Sequence, residues 1–270
     1  MKVYISADME GVSGVVSFDQ TGAEDKEYGR ARALMTDEVN AAVEGALTAG
    51  ATEIVVNDAH GSMRNILLEK LNPVVQLISG SPKPLSMMQG VDEGHDAAFF
   101  IGYHAQAGST FGMLNHVFSR CVHSVALNGQ PLGELGLNAA LAGHFGVPVV
   151  LVTGDQSVVE EARSTLGEVQ TVAVKHAYGT NAARCLAPSQ AHGLIKAAAA
   201  RALEKPGQPF VVHPPITLTV SFQLTSQTEM AELVPGARRL DGRTLEFVHD
   251  DMPTLYRAWR AIVALAKLGG

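Results

Sequence analysis

Three short apolar segments of the chain are each followed at once by carboxylate or imidazole side chains. The segments are residues 3–5, 54–57 and 99–103, and the polar residues that follow them are Asp8 and Glu10, Asp58 and His60, and His104. Continuous apolar strands of this kind are typical of parallel sheets whose two faces are covered by helices. Because the carboxyl ends of parallel strands lie along one edge of a sheet, we expect these side chains to converge there.

Asp8 and Glu10 are the most informative pair in this pattern. In an extended backbone, residues two apart point to the same side, and two adjacent carboxylates repel each other unless a cation or a shared proton neutralises them. Together with His60 and His104 they form a donor set suited to zinc, and a carboxylate such as Asp8 can bridge two metal ions. Each residue alone is also explained as a turn former or helix cap, so the predicted metal site depends on their joint occurrence.

Strand and helix signals alternate through the first part of the chain. Apolar residues recur at helical spacing over residues 28–49, and Gly50 follows where a helix C-cap is expected. Other predicted elements are strands at 74–78 and 147–152, helices at 66–71, 134–144 and 155–166, and a hairpin at 125–132 around Asn128-Gly129. The alternation predicts an α/β fold with a mostly parallel sheet covered by helices, in a Rossmann-like three-layer arrangement.

The remainder of the chain has a different pattern of predicted strands and helices. Strands are predicted at 169–175, 216–222 and 244–248, and helices at 188–203, 227–233 and 253–267. We therefore expect two domains. Residues 1–166 would form the α/β metal-binding catalytic domain, and residues 167–270 a smaller α+β domain.

Composition excludes several classes of protein. Hydrophobic residues make up 46% and charged residues 17% of the 270 residues, which is typical of a folded globular chain. A formal net charge of −7 argues against a nucleic-acid partner. Two cysteines, no signal peptide and no apolar run near the roughly 20 residues that span a bilayer favour a cytoplasmic protein without a membrane partner.

The sequence pattern alone leaves the roles of Glu134 and His116 open. Glu134 begins the predicted helix at 134–144, where an acidic residue in the first turn interacts favourably with the helix dipole. Spacing favours that structural explanation. His116 lies in a glycine-containing loop after the fourth predicted strand. It is either a surface residue or a group that reaches over the site as acid, base or nucleophile.

The motifs, taken in order, resemble those of a known family. SADMEG at residues 6–11 resembles the S-x-D-x-E-G signature of the zinc-dependent D-aminopeptidase family. Similar segments follow at residues 56–60 (VNDAH), 77–80 (LISG), 102–105 (GYHA) and 133–139 (GELGLNA), with weaker similarity at 173–175 (AVK) and 185–188 (CLAP). The resemblance therefore extends over nearly the whole chain.

This resemblance implies a ligand set, a cofactor and an activity. The implied ligands of a two-zinc site in each subunit are Asp8, Glu10, His60, His104 and Glu134, with Asp8 as the bridging carboxylate. His116 matches the catalytic histidine of the family. The implied reaction is hydrolysis of the N-terminal amide bond of short peptides, preferentially those with a D-Ala-like N-terminus, by a zinc-activated water. The implied assembly is a ring-shaped homodecamer, two stacked five-membered rings with active sites facing an inner channel.

Two other functions use the same residue types. A binuclear phosphoesterase would need cationic groups for the phosphate charge, and the nearest candidates in the sequence are Arg64 and Arg120. A non-catalytic ring that binds peptides or stores metal would instead bind peptides tightly without turnover when loaded with metal.

Overall fold

The computed structural model describes residues 1–270 and contains twelve strands and six α-helices. The strands are β1 (Lys2–Ala7), β2 (Glu53–Asp58), β3 (Val75–Ile78), β4 (Ala97–Tyr103), β5 (Val122–Leu127), β6 (Gln130–Leu132), β7 (Val149–Asp155), β8 (Gln170–Gly179), β9 (Ala182–Cys185), β10 (Ile216–Phe222), β11 (Arg238–Arg239) and β12 (Thr244–His249). The helices are α1 (Tyr28–Thr48), α2 (Glu134–His144), α3 (Gln156–Leu166), α4 (Pro188–Glu204), α5 (Thr225–Ala231) and α6 (Met252–Ala266).

The larger sheet has seven strands in the order β3-β2-β1-β4-β7-β8-β9. All neighbouring strands are parallel except β9, which runs antiparallel to β8. Helices α1 and α4 pack on one face, and α2 and α3 cover the other. The predicted α/β fold with a mostly parallel, helix-covered sheet is confirmed.

Side chains of β1 and β4 alternate between the two faces of this sheet. Val3 and Ile5 belong to the apolar core beneath α1 and α4, whereas Tyr4 belongs to the core that includes α2 and α3. Phe99 and Phe100 divide in the same way. Because both faces are buried, the central strands carry hydrophobic residues at consecutive positions.

The smaller sheet is antiparallel, with five strands in the order β11-β12-β10-β5-β6. Asn128 and Gly129 connect β5 to β6 with φ angles of 49° and 79°, as the predicted hairpin requires. Helix α6 packs on this sheet and buries Tyr256 and Trp259. The predicted α+β character of the later chain is confirmed. The domain boundary between residues 166 and 167 stays a prediction; β8 and β9 pair within the seven-stranded sheet.

The short helix predicted at residues 66–71 is wrong. Only a single 3-10 turn forms there, at Leu68–Lys70. The carboxylate of Asp58 accepts the backbone N–H groups of Asn65 (2.5 Å) and Ile66 (2.8 Å), and these bonds hold the preceding residues in a loop. No helix of the protein has both the length and the apolar character that a membrane span requires, and the cytoplasmic location stays a prediction.

Candidate metal centre

The predicted site residues meet at the carboxyl edge of the seven-stranded sheet. Asp8 and Glu10 follow β1, His60 follows β2, His104 follows β4, and Glu134 is the first residue of α2. All five are buried, with at most 7% of their surface exposed. The backbone leaves the extended conformation after Ala7, yet both carboxylates still point into the site. The structure thus brings together residues that lie far apart in the chain.

Two imidazoles contact the three carboxylates. Nδ1 of His60 lies 3.2 Å from Oδ1 of Asp8 and 2.8 Å from Oε2 of Glu10. Nε2 of His104 lies 3.6 Å from Oδ2 of Asp8 and 3.4 Å from Oε1 of Glu134. The two oxygens of Asp8 therefore face different histidines.

Donor atoms from these side chains form two overlapping groups. Asp8, Glu10 and His104 make one group, and His104, Glu134 and His116 make the other; within each group the donor atoms lie within 4.8 Å of one another. Because His104 belongs to both groups, the two clusters adjoin. Three or more buried nitrogen and oxygen donors at such spacing match the ligand requirement of a zinc site.

Each histidine of the site is oriented by a backbone carbonyl. His60 donates from Nε2 to Thr21 O (3.0 Å), His104 donates from Nδ1 to Ala105 O (3.0 Å), and His116 donates from Nδ1 to Leu114 O (2.8 Å). The other ring nitrogen of each histidine faces the carboxylates. Metal-ligating histidines have this arrangement, because a hydrogen bond on the second nitrogen fixes the tautomer and the ring orientation.

Three buried polar atoms of the site have no hydrogen-bond partner. They are Oδ2 of Asp8, Oε2 of Glu10 and Nε2 of His104; Oε2 of Glu10 lies near Nδ1 of His60, but the hydrogen bond of that nitrogen is made with Oδ1 of Asp8. Leaving such atoms unpartnered costs free energy, so each one calls for an explanation. All three residues belong to the first donor group, where a bound cation would satisfy all three atoms. The residues present therefore fit a metal ion.

The shifted pKa values of the site residues also favour a bound cation. Burial and the neighbouring charge of Glu10 raise the pKa of Asp8 to about 7. Although burial disfavours an imidazolium, the carboxylate of Glu134 raises the pKa of His104 to about 10. Without a cation, the carboxylates can be balanced only by protonating themselves or their histidines.

Two glycines allow the acidic loop to approach the end of β4. The backbone N–H of Asp8 donates to Ile101 O (2.8 Å), and that of Gly11 donates to Gly102 O (2.8 Å). A Cβ atom on Gly11 would overlap the carbonyl oxygen of Tyr103, and one on Gly102 would overlap that of Asp8. The glycine of the SADMEG segment is therefore required by the close contact of two backbones.

A buried lysine, Lys175, supports the same loop from beneath. It lies on β8 with no exposed surface, and its Nζ donates to the backbone carbonyls of Glu10, Val12 (3.0 Å) and Val15 (2.6 Å). Burial lowers its pKa to about 8, and the nearby carboxylate of Glu38 opposes that shift. The sequence pattern assigns Lys175 no role, although a lysine directly after the apolar residues 172–174 of a buried strand is a signal for one.

We expect Lys175→Met to weaken metal binding about 10- to 100-fold, as is typical when a group that orients a ligand is lost. The free energy of unfolding should fall by about 2–4 kcal/mol, because three buried carbonyls lose their charged donor. Zinc titration and urea unfolding measure the two effects. Lys196→Met is the matched control, since Lys196 is half-exposed and pairs only with Glu44. Wild-type values for both quantities in Lys175→Met would contradict this role.

The loop that carries His116 is held in an unusual backbone conformation. Leu114 and Phe118 adopt φ angles of 47° and 56°, and such left-handed conformations of non-glycine residues cost about 1–3 kcal/mol each. The His116 ring stacks on His104 with centroids 4.2 Å apart, and Nε2 of His116 lies 3.5 Å from Glu134 Oε1. The N–H of Phe118 donates to the same oxygen (2.6 Å). The loop therefore places His116 over the metal ligands, a location that its sequence position left open.

A cavity of about 280 Å³ opens onto these residues. Asp8, Glu10, His60, His116 and Glu134 line one side. Another part of the lining is formed by α6 and the residue after it, through Arg260, Val263, Ala264 and Lys267. Arg64 and Arg120, the cations considered for phosphate binding, do not line the cavity: Arg64 is exposed, and the guanidinium of Arg120 lies 5.1 Å from the centre of the Phe18 ring.

Comparison with known proteins identifies the family of the chain. A sequence profile of the D-aminopeptidase family matches residues 1–261. The D-aminopeptidase of Bacillus subtilis (strain 168) is 39% identical over 269 positions, in an alignment that covers 98% of either chain. A solved structure from Bacillus subtilis, the zinc-dependent D-aminopeptidase DppA, described as a self-compartmentalizing protease, superimposes with a TM-score of 0.96. Its sequence is 37% identical, and the match covers 99% of this chain and 98% of that one. The chain therefore belongs to the D-aminopeptidase family.

Proposed function

We propose that this protein is a zinc-dependent aminopeptidase that removes a D-residue, preferentially D-Ala-like, from the N-terminus of short peptides. The observation that carries the proposal is the pair of adjoining donor groups, buried at the sheet edge and opening onto a cavity. Membership of the D-aminopeptidase family supports the reaction. The zinc dependence of the structural relative supports the choice of metal.

Five side chains would hold two zinc ions in each subunit: Asp8, Glu10, His60, His104 and Glu134. Asp8 is suited to bridge the two ions, because its Oδ1 faces His60 and its Oδ2 faces His104. When bound, zinc acts as a Lewis acid that polarises a carbonyl oxygen and lowers the pKa of water to about 7.

His116 is the residue that we assign to proton transfer. Its Nδ1–H is committed to the Leu114 carbonyl, so Nε2 is the atom that faces the cavity and can accept a proton. Burial, reinforced by the charge of His104, lowers the pKa of His116 and keeps the accepting form populated at neutral pH. A proton taken at Nε2 can then be delivered to the leaving amine of the substrate.

The cavity accounts for action at the N-terminus of short peptides. Its volume of about 280 Å³ lies just below the range of about 300–1,000 Å³ typical of sites for drug-sized ligands. A metal ion held by Asp8, Glu10 and Glu134 would accept the neutral α-amine of a peptide as a ligand. A long internal segment of a protein has no free amine and exceeds that size.

We also propose a cytoplasmic, ring-shaped homodecamer with active sites that face an inner channel. The description of the structural relative as self-compartmentalizing supports such an assembly. Large apolar side chains on the surface of the single chain, among them Phe111, Tyr178 and Leu233, would be suited to subunit contacts. Sedimentation velocity measures the assembly; a particle of one or two 28.5 kDa subunits would contradict it.

One assay panel tests the reaction. The zinc-loaded protein is given D-alanyl and L-alanyl p-nitroanilide and p-nitrophenyl phosphate, and zinc is measured on the same sample. We expect about two zinc ions per subunit, cleavage of the D-amide in preference to the L-amide, and no phosphatase activity. Faster hydrolysis of the phosphate would identify a binuclear phosphoesterase instead. Tight binding of a D-peptide without turnover would identify a peptide-binding ring.

A further inference from the structure

The cavity is lined by side chains of opposite charge, which come from two different parts of the fold. The wall formed by the metal-site residues carries three buried carboxylates, whereas the wall formed by α6 carries Arg260, with Lys267 one turn beyond Val263 and Ala264. Neither cation forms an ion pair with a carboxylate of the protein within 4.0 Å. A guanidinium next to a cavity and without an anionic partner has most of its five N–H donors available to a ligand.

A hydrogen bond holds the Arg260 side chain in place, next to the positive charge of Lys83. Its Nη1 donates to the backbone carbonyl of Lys83, and Lys83 in turn donates from Nζ to Asn57 Oδ1 (2.5 Å) and to Asp58 O (2.6 Å). The Lys83 side chain is buried and forms no ion pair. Burial lowers its pKa to about 8; the carboxylate of Asp58 opposes this shift, and the charge of Arg260 adds to it. Lys83 and Arg260 therefore lie close together, and neither forms an ion pair within 4.0 Å.

We propose that Arg260 binds the C-terminal carboxylate of the substrate, with Lys267 contributing at the exposed rim of the cavity. This inference rests on the proposed function and names a residue that selects among its substrates: short peptides with a free C-terminal carboxylate. The α-amine lies at the metal-site wall and the carboxylate at the wall formed by α6. Arginine is suited to this role, because its planar fork matches both oxygens of a carboxylate.

The placement of Arg260 makes peptide length a criterion for cleavage. The carboxylate wall belongs to the seven-stranded sheet and α2, whereas Arg260 lies on α6, which packs on the smaller sheet. The cavity between them has a fixed, small volume of about 280 Å³. A short peptide can place both termini at their complementary walls, while a longer peptide cannot bring its carboxylate to Arg260.

The test compares D-alanyl-D-alanine with its C-terminal amide, both cleaved at the same bond. For the zinc-loaded wild-type protein we expect kcat/KM to be at least about 10-fold higher for the free acid than for the amide. In Arg260→Gln, kcat/KM for the acid should fall about 10- to 100-fold, mainly through KM, and the ratio of acid to amide should approach one. Arg260→Lys should retain part of the preference, because it keeps the charge but not the fork.

Arg257→Gln is the matched control, since Arg257 lies one turn earlier on α6, is exposed, and contacts only Thr254. It should keep the wild-type ratio. An acid-to-amide ratio near one in the wild-type protein would overturn the role of Arg260 without any variant. Equal loss of both substrates in Arg260→Gln would also overturn it, because that result indicates a structural role. Cleavage of neither substrate by the wild-type protein would instead overturn the proposed function, and this inference with it.

Discussion

Replacing Asp8 with alanine is expected to remove at least one zinc ion from each subunit and almost all of the turnover. Asp8 directs one oxygen to His60 and the other to His104, so its removal takes a carboxylate from both halves of the proposed two-ion site. We expect bound zinc to fall from about two ions to one or none per subunit. We also expect kcat/KM to fall by at least about 10³-fold, since metal-ion catalysis supplies several kcal/mol of transition-state stabilisation. Metal analysis after gel filtration and hydrolysis of D-alanyl p-nitroanilide measure the two quantities.

A suitable control for this variant is Asp92→Ala, because Asp92 is exposed in a 3-10 turn remote from the ligands. It should retain both zinc and activity. Retention of full zinc content and turnover by Asp8→Ala would refute the metal assignment.

Replacing His116 with alanine is expected to separate metal binding from catalysis. The five proposed ligands stay in place, so zinc content should remain near two ions per subunit. Turnover should nevertheless fall by about 10²- to 10⁴-fold, the range supplied by a positioned acid–base group. The loss should appear mainly in kcat, because His116 acts on the proton of the reacting amide rather than on substrate binding.

His123→Ala is the control for a general effect of removing an imidazole, since His123 is exposed on β5. If His116→Ala instead lost zinc along with activity, His116 would be a ligand of the second donor group rather than the proton-transfer residue. Undiminished turnover would exclude His116 from the mechanism altogether.

Sequence patterns predict this fold and site well where local and global signals agree. The apolar runs at β1, β2 and β4 predicted both the strands and the edge at which their polar residues meet. Glu134 shows the limit of this reasoning. An acidic residue in a first helical turn has a sufficient local explanation, and only the packing of α2 against the sheet edge brings its carboxylate to His104.

Features that depend on long-range packing had no local signal. Arg260 lies in an amphipathic helix whose sequence does not show which side chain faces a distant cavity. The smaller sheet joins residues 122–132 to residues 216–249, and no periodicity predicts that pairing. Residues 66 and 67 are predicted as the start of a helix but lie in a loop, because the loop conformation depends on a side chain, Asp58, that belongs to β2.

The site residues come from distant parts of the sequence, and this separation determines when during folding the site is complete. Asp8 and Glu134 are separated by more than a hundred residues, and Arg260 follows Glu134 by more than a hundred again. Contacts between such distant residues form late in folding, because closing a long loop costs conformational entropy before the contacts can stabilise the chain. A chain still emerging from the ribosome therefore cannot hold a complete site. Peptide-cleaving activity would therefore begin only when folding is essentially finished.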